Sequence, residues 1–221
     1  MQIQVNKTAA AALAAPSEAD MQAINRFALR ELKPEEVFTF RCVACDDRVD
    51  RDFERFPLET LEKLAPMFVG KTFILDHRWT AENQMARVYR TEVQRREDRS
   101  HAILAGCYML RTDATADSIA AIEGGILKEV SVGCAVSRMV CSVCGEDAYA
   151  RACAQIKGHT YDGETCVYDL LDPLDAYELS FVAVPAQRGA GVTKKLQKTC
   201  WTPAELAAAK ARLEIEHERW K

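Results

Sequence analysis

Between residues 127 and 139 the side chains alternate with a period of two, and no other segment restricts the fold so much. Val130, Val132, Cys134 and Val136 fall on one side of an extended chain, and Ser131, Gly133, Ala135 and Ser137 on the other. A segment of this kind is a strand with one face in a core, so the chain needs a sheet and something to cover it. The rhythm then fails. Residues 141–166 are polar, carry four Cys and three Gly and show no period, so they read as an insertion with a small scaffold of its own.

The remaining segments supply the rest of an α+β domain. Residues 37–44 alternate and are rich in Val and Phe; residues 72–75 are a short apolar run ending at Asp76-His77. Residues 85–93 and 102–110 read as paired strands with a charged tip, and 177–184 as a last strand stopped by Pro185. Ser17 and Asp20 have the spacing of a capping box. Behind them Ile24, Phe27, Ala28 and Leu32 share one helical face, which predicts a helix running on toward Pro34. Leu58, Leu61, Leu64, Ala65 and Phe68 mark a second helix, with Pro57 in its first turn and Gly70 at its end. A third spans residues 113–123 and stops at Gly124-Gly125. Thr202 and Glu205 frame Pro203 at the start of a C-terminal helix over residues 201–221. Leu206, Leu213 and Trp220 recur along it every seven residues, suited to docking on the body or on a second subunit. The expected organisation is a disordered segment over 1–16, one domain over 17–200 that contains the 141–166 insertion, and the final helix.

Charge and hydropathy exclude some classes. The net charge of −4 argues against a nucleic-acid binder. The basic stretch 90–99 is interrupted by Glu92, Glu97 and Asp98 and reads as a solvated hairpin tip. No apolar run approaches the ~20 residues of a membrane-spanning helix. The Ala-rich stretch 8–15 is too short and too weakly apolar for a signal peptide, so the chain is expected to stay in the cytoplasm that makes it.

Nine cysteines with no export signal point to metal rather than disulfides. Cys141-Ser142-Val143-Cys144-Gly145 is a knuckle, two thiols spaced for one ion. Cys153 and Cys166 would complete a four-thiolate tetrahedron, with His159 as an alternative ligand. Such a closed site holds zinc structurally and leaves no position for a reacting water. No HExxH-like helix is present to suggest a zinc hydrolase. Cys42 and Cys45 lie in an alternating strand, point to opposite faces and read as core residues.

Candidate catalytic residues sit in three otherwise apolar segments. A serine hydroxyl needs a base, and the base needs an orienting acceptor. Of the four histidines, His77 alone follows a buried strand. Ser131 shares its strand face with Gly133 and Ala135, which leave room for a substrate backbone. Glu178 is the candidate acid and Asp76 its rival. As a sequence neighbour of His77, Asp76 should point away if the strand runs through it. Backbone N–H groups or Arg138 are the candidates for holding an oxyanion.

The order Leu75-Asp76-His77, then Lys128-Glu129-Val130-Ser131-Val132-Gly133, then Glu178-Leu179-Ser180-Phe181-Val182-Ala183-Val184-Pro185-Ala186 resembles the prohead (capsid maturation) serine proteases of tailed phages. Those proteins are distantly related in fold to the herpesvirus assemblins. The likeness spans roughly residues 20–195 and includes Asp47-Arg48-Val49-Asp50-Arg51-Asp52 upstream. It implies a mainly antiparallel β-barrel with surrounding helices, a Ser131–His77 nucleophile–base pair, and an acidic third residue at Glu178. It also implies phage scaffold and major capsid proteins as substrates, a possible homo-oligomer, and action inside the assembling procapsid. Some sequences of this kind carry a His two residues after the third cysteine of a similar insertion. Gln155 stands there in this chain, which favours Cys166 as the fourth ligand. The rival expectation is a capsid-assembly or scaffold protein that keeps the fold without activity.

Overall fold

The computed structural model describes residues 15–150 and 153–193; the segment expected over 1–16, except its last two residues, and the helix expected over 201–221 lie outside the described residues. In chain order the elements are α1 (Glu18–Asn25), β1 (Val37–Asp46), β2 (Glu54–Arg55), α2 (Leu58–Met67), β3 (Thr72–Leu75), β4 (Ala86–Arg95), β5 (His101–Leu110), α3 (Ala116–Glu123), β6 (Val130–Cys141), β7 (Thr160–Tyr161), β8 (Glu164–Thr165), β9 (Tyr168–Phe181) and β10 (Gly191–Thr193). The fold is α+β. Its main sheet runs β10-β1-β5-β4-β3-β9-β2, with β6 also paired to β9; β7 and β8 form a small hairpin inside the cysteine-rich segment.

The expected closed antiparallel barrel does not form. β9 takes β2 and β3 as parallel neighbours and β6 as an antiparallel one, so the sheet is mixed. The strands that would close a ring are too short to do so. β10 pairs with β1 over three residues. It reaches the start of β6 only through an isolated Glu129–Gly191 bridge and the Val192 N–H donating to Lys128 O at 2.7 Å.

The core lies between the curled sheet and α2. Phe40, Phe73 and Phe181 meet on its inner face, with Phe73 ring centroids 5.5 Å from Phe40 and 4.5 Å from Phe181. Leu61, Leu64 and Phe68, on and just after α2, cover them. Along β3 and β9, Phe73, Leu179 and Phe181 therefore face the core, and Thr72, Ile74, Glu178 and Ser180 face the other way.

Three elements depart from the expected boundaries. α1 stops at Asn25, because the Asn25 side chain accepts from the Leu32 N–H at 2.9 Å and donates to Leu32 O, closing the chain into a loop. β9 begins at Tyr168 rather than near residue 177. Its first eight residues hold Asp169, Asp172, Pro173 and Asp175, poor strand formers that pairing with β6 overrides. Pro173 is tolerated because the register shifts beside it, between Ala135 and Val136 of β6. A second shift between Gly133 and Cys134 leaves Tyr177 of β9 unpaired; β6 itself stays regular there, and Val130, Val132, Cys134 and Val136 all pack against the core, as the alternation predicts. Among the described residues no helix is long and apolar enough to cross a membrane.

α1 docks through a buried carboxylate. Asp20 accepts from Ser17 in the capping box and from Tyr89 Oη at 2.9 Å, with Arg90 at 3.3 Å. Burial raises the Asp20 pKa, but these hydrogen bonds and the Arg90 charge outweigh it, and the net displacement is downward. A lowered carboxyl pKa stabilises the docked helix above the ordinary value of ~3.9 and loses that effect as pH falls through the lowered one. We expect hydrogen-exchange protection of α1 to hold at pH 5 and to collapse only below pH ~4. Asp20→Asn should cost about 1–3 kcal/mol at pH 7 in urea denaturation; an unchanged midpoint would contradict the docking role.

Candidate active site and cysteine cluster

His77 is set by a strained turn. Asp76 and His77 both have left-handed backbones, φ 52° and 53°. That conformation costs an L residue roughly 1–2 kcal/mol, although Asp and His are among the residues that enter it most often. Neighbouring groups hold it in place. The Asp76 N–H donates to Phe181 O at 2.9 Å, extending the β3–β9 ladder. The His77 N–H donates to Ser180 Oγ at 2.8 Å, and Asn83 Nδ2 donates to Leu75 O and Arg78 O, both at 2.8 Å. The chain thus folds back, and the His77 ring comes over the outer face of β9.

There His77 Nδ1 lies 2.7 Å from Glu178 Oε1. The carboxylate is 2 % exposed and the imidazole 41 % exposed, so a partly open ring rests on a buried acid. Asp76 is exposed and makes no hydrogen bond to the ring. The parallel β3–β9 register places Thr72 beside Glu178 and Ile74 beside Ser180. The antiparallel β6–β9 register places Gly133 beside Glu178 and Ser131 beside Ser180. Ser131, Ser180, Glu178 and His77 therefore share one patch on the outer face. Ser131 Oγ makes no hydrogen bond to His77 among the described contacts, and Ser180 is fully buried.

Gly133 has a different role from the one its size suggested. A Cβ there would collide with Glu178 Oε1 and stand 3.2 Å from Glu178 Cδ, so its empty side is filled by the acid rather than by substrate. Arg138 is not a donor for this site. Its guanidinium pairs with Asp172 at 3.1 Å, and it lies about 23 Å along β6 from Ser131 at the usual rise per residue. Sequence reasoning missed Ser180, whose hydroxyl accepts from the turn, and the Asn83 latch. The Asp-His pair closing an apolar run was the available signal for the turn.

The upstream acidic-basic motif serves to tie loops together. The Arg51 N–H donates to Ala186 O at 3.1 Å and Arg51 Nε to Pro185 O at 3.1 Å, while Gln187 bonds both the N–H and the C=O of Asp46. The segment after β9 is thereby clamped beneath β1. Trp79, two residues after His77, and Tyr177, the unpaired residue of the β9 bulge, meet with ring centroids 5.2 Å apart and planes tilted by 58°, and both are exposed.

In the second cluster the thiol sulfurs of Cys141, Cys144 and Cys153 all lie within 4.8 Å of one another, an arrangement able to hold a metal ion. Cys144 and Cys153 approach to 3.6 Å. Cys166 stands outside this compact trio, but its Sγ is 3.5 Å from that of Cys141. A tetrahedral site with metal–sulfur bonds of about 2.3 Å has sulfurs about 3.8 Å apart, close to both separations. Burial opposes ionisation of Cys141, but the N–H groups of Cys144 and Val143 and the thiols of Cys166 and Cys153 bring its pKa down to about 7. Burial and the Cys141 charge push Cys166 up to about 11. His159 is exposed and not part of the trio. Cys42 and Cys45 are buried in β1.

No protein family, curated protein or solved structure matches this chain.

Gly133→Ala tests the packing around Glu178. It should push the carboxylate beyond hydrogen-bond reach of Nδ1 in a structure of the variant, and cost about 1–3 kcal/mol in urea denaturation. An intact bond and unchanged stability would show that the close approach is unimportant.

Proposed function

We propose that the chain is a serine endopeptidase of the prohead type, cutting scaffold or capsid-protein extensions during phage capsid maturation. The observation that carries this reading is the His77 Nδ1–Glu178 Oε1 bond of 2.7 Å beside a strand register that brings Ser131 next to Ser180, under the same histidine. With Nδ1 held by the acid, Nε2 is the nitrogen left for a serine. His77 takes the Ser131 proton, and Ser131 Oγ attacks the peptide carbonyl. His77 then returns the proton to the leaving amine, and water releases the acyl-enzyme. With Arg138 engaged elsewhere, backbone N–H groups are left to hold the tetrahedral oxyanion. Ser180 hydroxyl is fully buried and bonded to the turn, so Ser131 is the serine a substrate can reach.

β6 also suits a peptide substrate. From Ser131 to Arg138 it pairs with β9 on one edge, and no described strand pairs with the other. An extended substrate can add to that edge through main-chain hydrogen bonds, which brings its carbonyl past Ser131. Action within an assembling procapsid, with self-association of the protease there, fits a site so open to peptide.

The second reading is a capsid-assembly or scaffold protein that keeps this fold without activity. What favours it is that Ser131 Oγ makes no hydrogen bond to His77. Such bonds are often long in enzymes without substrate and tighten on binding. Co-expression with its capsid protein separates the readings. The unmodified chain should trim that protein, and Ser131→Ala should slow trimming by more than ~10³-fold. Equal trimming by both sinks the assignment of Ser131, and no trimming by either favours the scaffold.

The cysteine cluster is read as a structural zinc site, with Cys166 joining Cys141, Cys144 and Cys153 as fourth ligand. Zinc would draw the thiol protons off and relieve the mutual repulsion of four thiolates. Metal-free protein should take up zinc in equimolar amount and melt at a higher temperature afterwards, while cleavage continues after chelation wherever the fold survives. Failure to take up zinc excludes the site. Loss of cleavage with the fold intact would instead give the metal a catalytic role.

A further inference from the structure

The acid under His77 has a second face. Glu178 Oε2 is shielded from solvent and has no hydrogen-bond partner, and the same is true of Thr72 Oγ1. Leaving a buried carboxyl oxygen and a buried hydroxyl both unpaired is costly, because each has given up its hydrogen bonds to water. The two are not scattered. Thr72 is the register partner of Glu178 across the parallel β3–β9 ladder, and both side chains project to the outer face. Paired strands lie about 4.8 Å apart, which leaves side chains on the same face within reach of one another. On its other flank Glu178 meets Gly133, which offers no donor. Of its two flanking residues across the ladders, only Thr72 carries a hydroxyl that can serve Oε2.

We propose that Thr72 is a positioning residue, whose hydroxyl donates to Glu178 Oε2, by rotation about its Cα–Cβ bond or through one bridging water, so that Oε1 is held for His77. The proposal rests on the reading of His77 and Glu178 as base and acid, and extends that relay by one residue. With both oxygens bonded, the carboxylate cannot swing about its last bond, and the imidazole tautomer with the proton on Nδ1 is fixed. Thr72 touches neither substrate nor the reacting atoms. Its effect passes through Glu178.

The direct readout is the His77 Nδ1–H proton resonance, followed by NMR on a Ser131→Ala background. It does not depend on proteolysis, so the inference and the protease reading fail separately. Thr72→Val keeps the shape and removes the donor. It should move or broaden the Nδ1–H signal, and Thr72→Ser should restore it. In the chain with Ser131 intact, Thr72→Val should lower kcat about tenfold with KM unchanged, again restored by Thr72→Ser. If Thr72→Val does not fold, Thr72→Ala, a smaller donor-less variant, should give the same spectral change. An Nδ1–H resonance unchanged in a folded donor-less variant overturns the proposal, and so does a change that Thr72→Ser fails to reverse.

Discussion

The arrangement depends on one parallel pairing, β3 against β9. That ladder stacks Phe73 on Leu179 and Phe181 within the core, and on its opposite face sets Thr72 beside Glu178 and Ile74 beside Ser180. Because the side-chain period of a strand is two, the same register that fills the core with aromatic rings aims an acid and a hydroxyl outward. A slip of one residue would exchange the faces, placing Glu178 in the core and Leu179 under the histidine. The strong apolar drive on the inner face thus fixes a polar geometry on the outer one.

The turn after β3 converts that geometry into a site. Two consecutive left-handed residues carry local strain, held by Ser180, Phe181 O and Asn83. Strain of this kind persists only where its surroundings over-determine it. Here the surroundings are the end of the very ladder that positions Glu178. His77 and Glu178 are therefore placed by a common element, and their 2.7 Å separation is a consequence of sheet register as much as of the hydrogen bond itself.

Much of this was legible in the chain. The apolar runs around Phe73 and Phe181 identify the buried strands, and a His closing one of them is conspicuous. The cysteine spacing marks the second cluster, where three of the four expected thiols form a compact trio. The parallel pairing was not legible. Nothing in residues 72–75 or 177–181 says which way they run together, so a parallel ladder within a mostly antiparallel sheet was not expected; the closed barrel fails separately, because the strands at its seam are too short. The early half of β9 was hidden by Asp and Pro, whose unfavourable strand propensity is overridden by pairing with β6. Gly133 was legible as a small residue but not as the partner of a particular carboxylate, because that depends on two strands far apart in sequence.

The central claim is that Ser131 is a nucleophile activated by His77. A fluorophosphonate probe, which bonds covalently to activated serines, tests it without knowledge of the substrate. Peptide mapping by mass spectrometry should find the adduct on Ser131 and lose it in His77→Ala. No adduct on the folded chain, or an adduct on another serine that survives His77→Ala, would contradict the account.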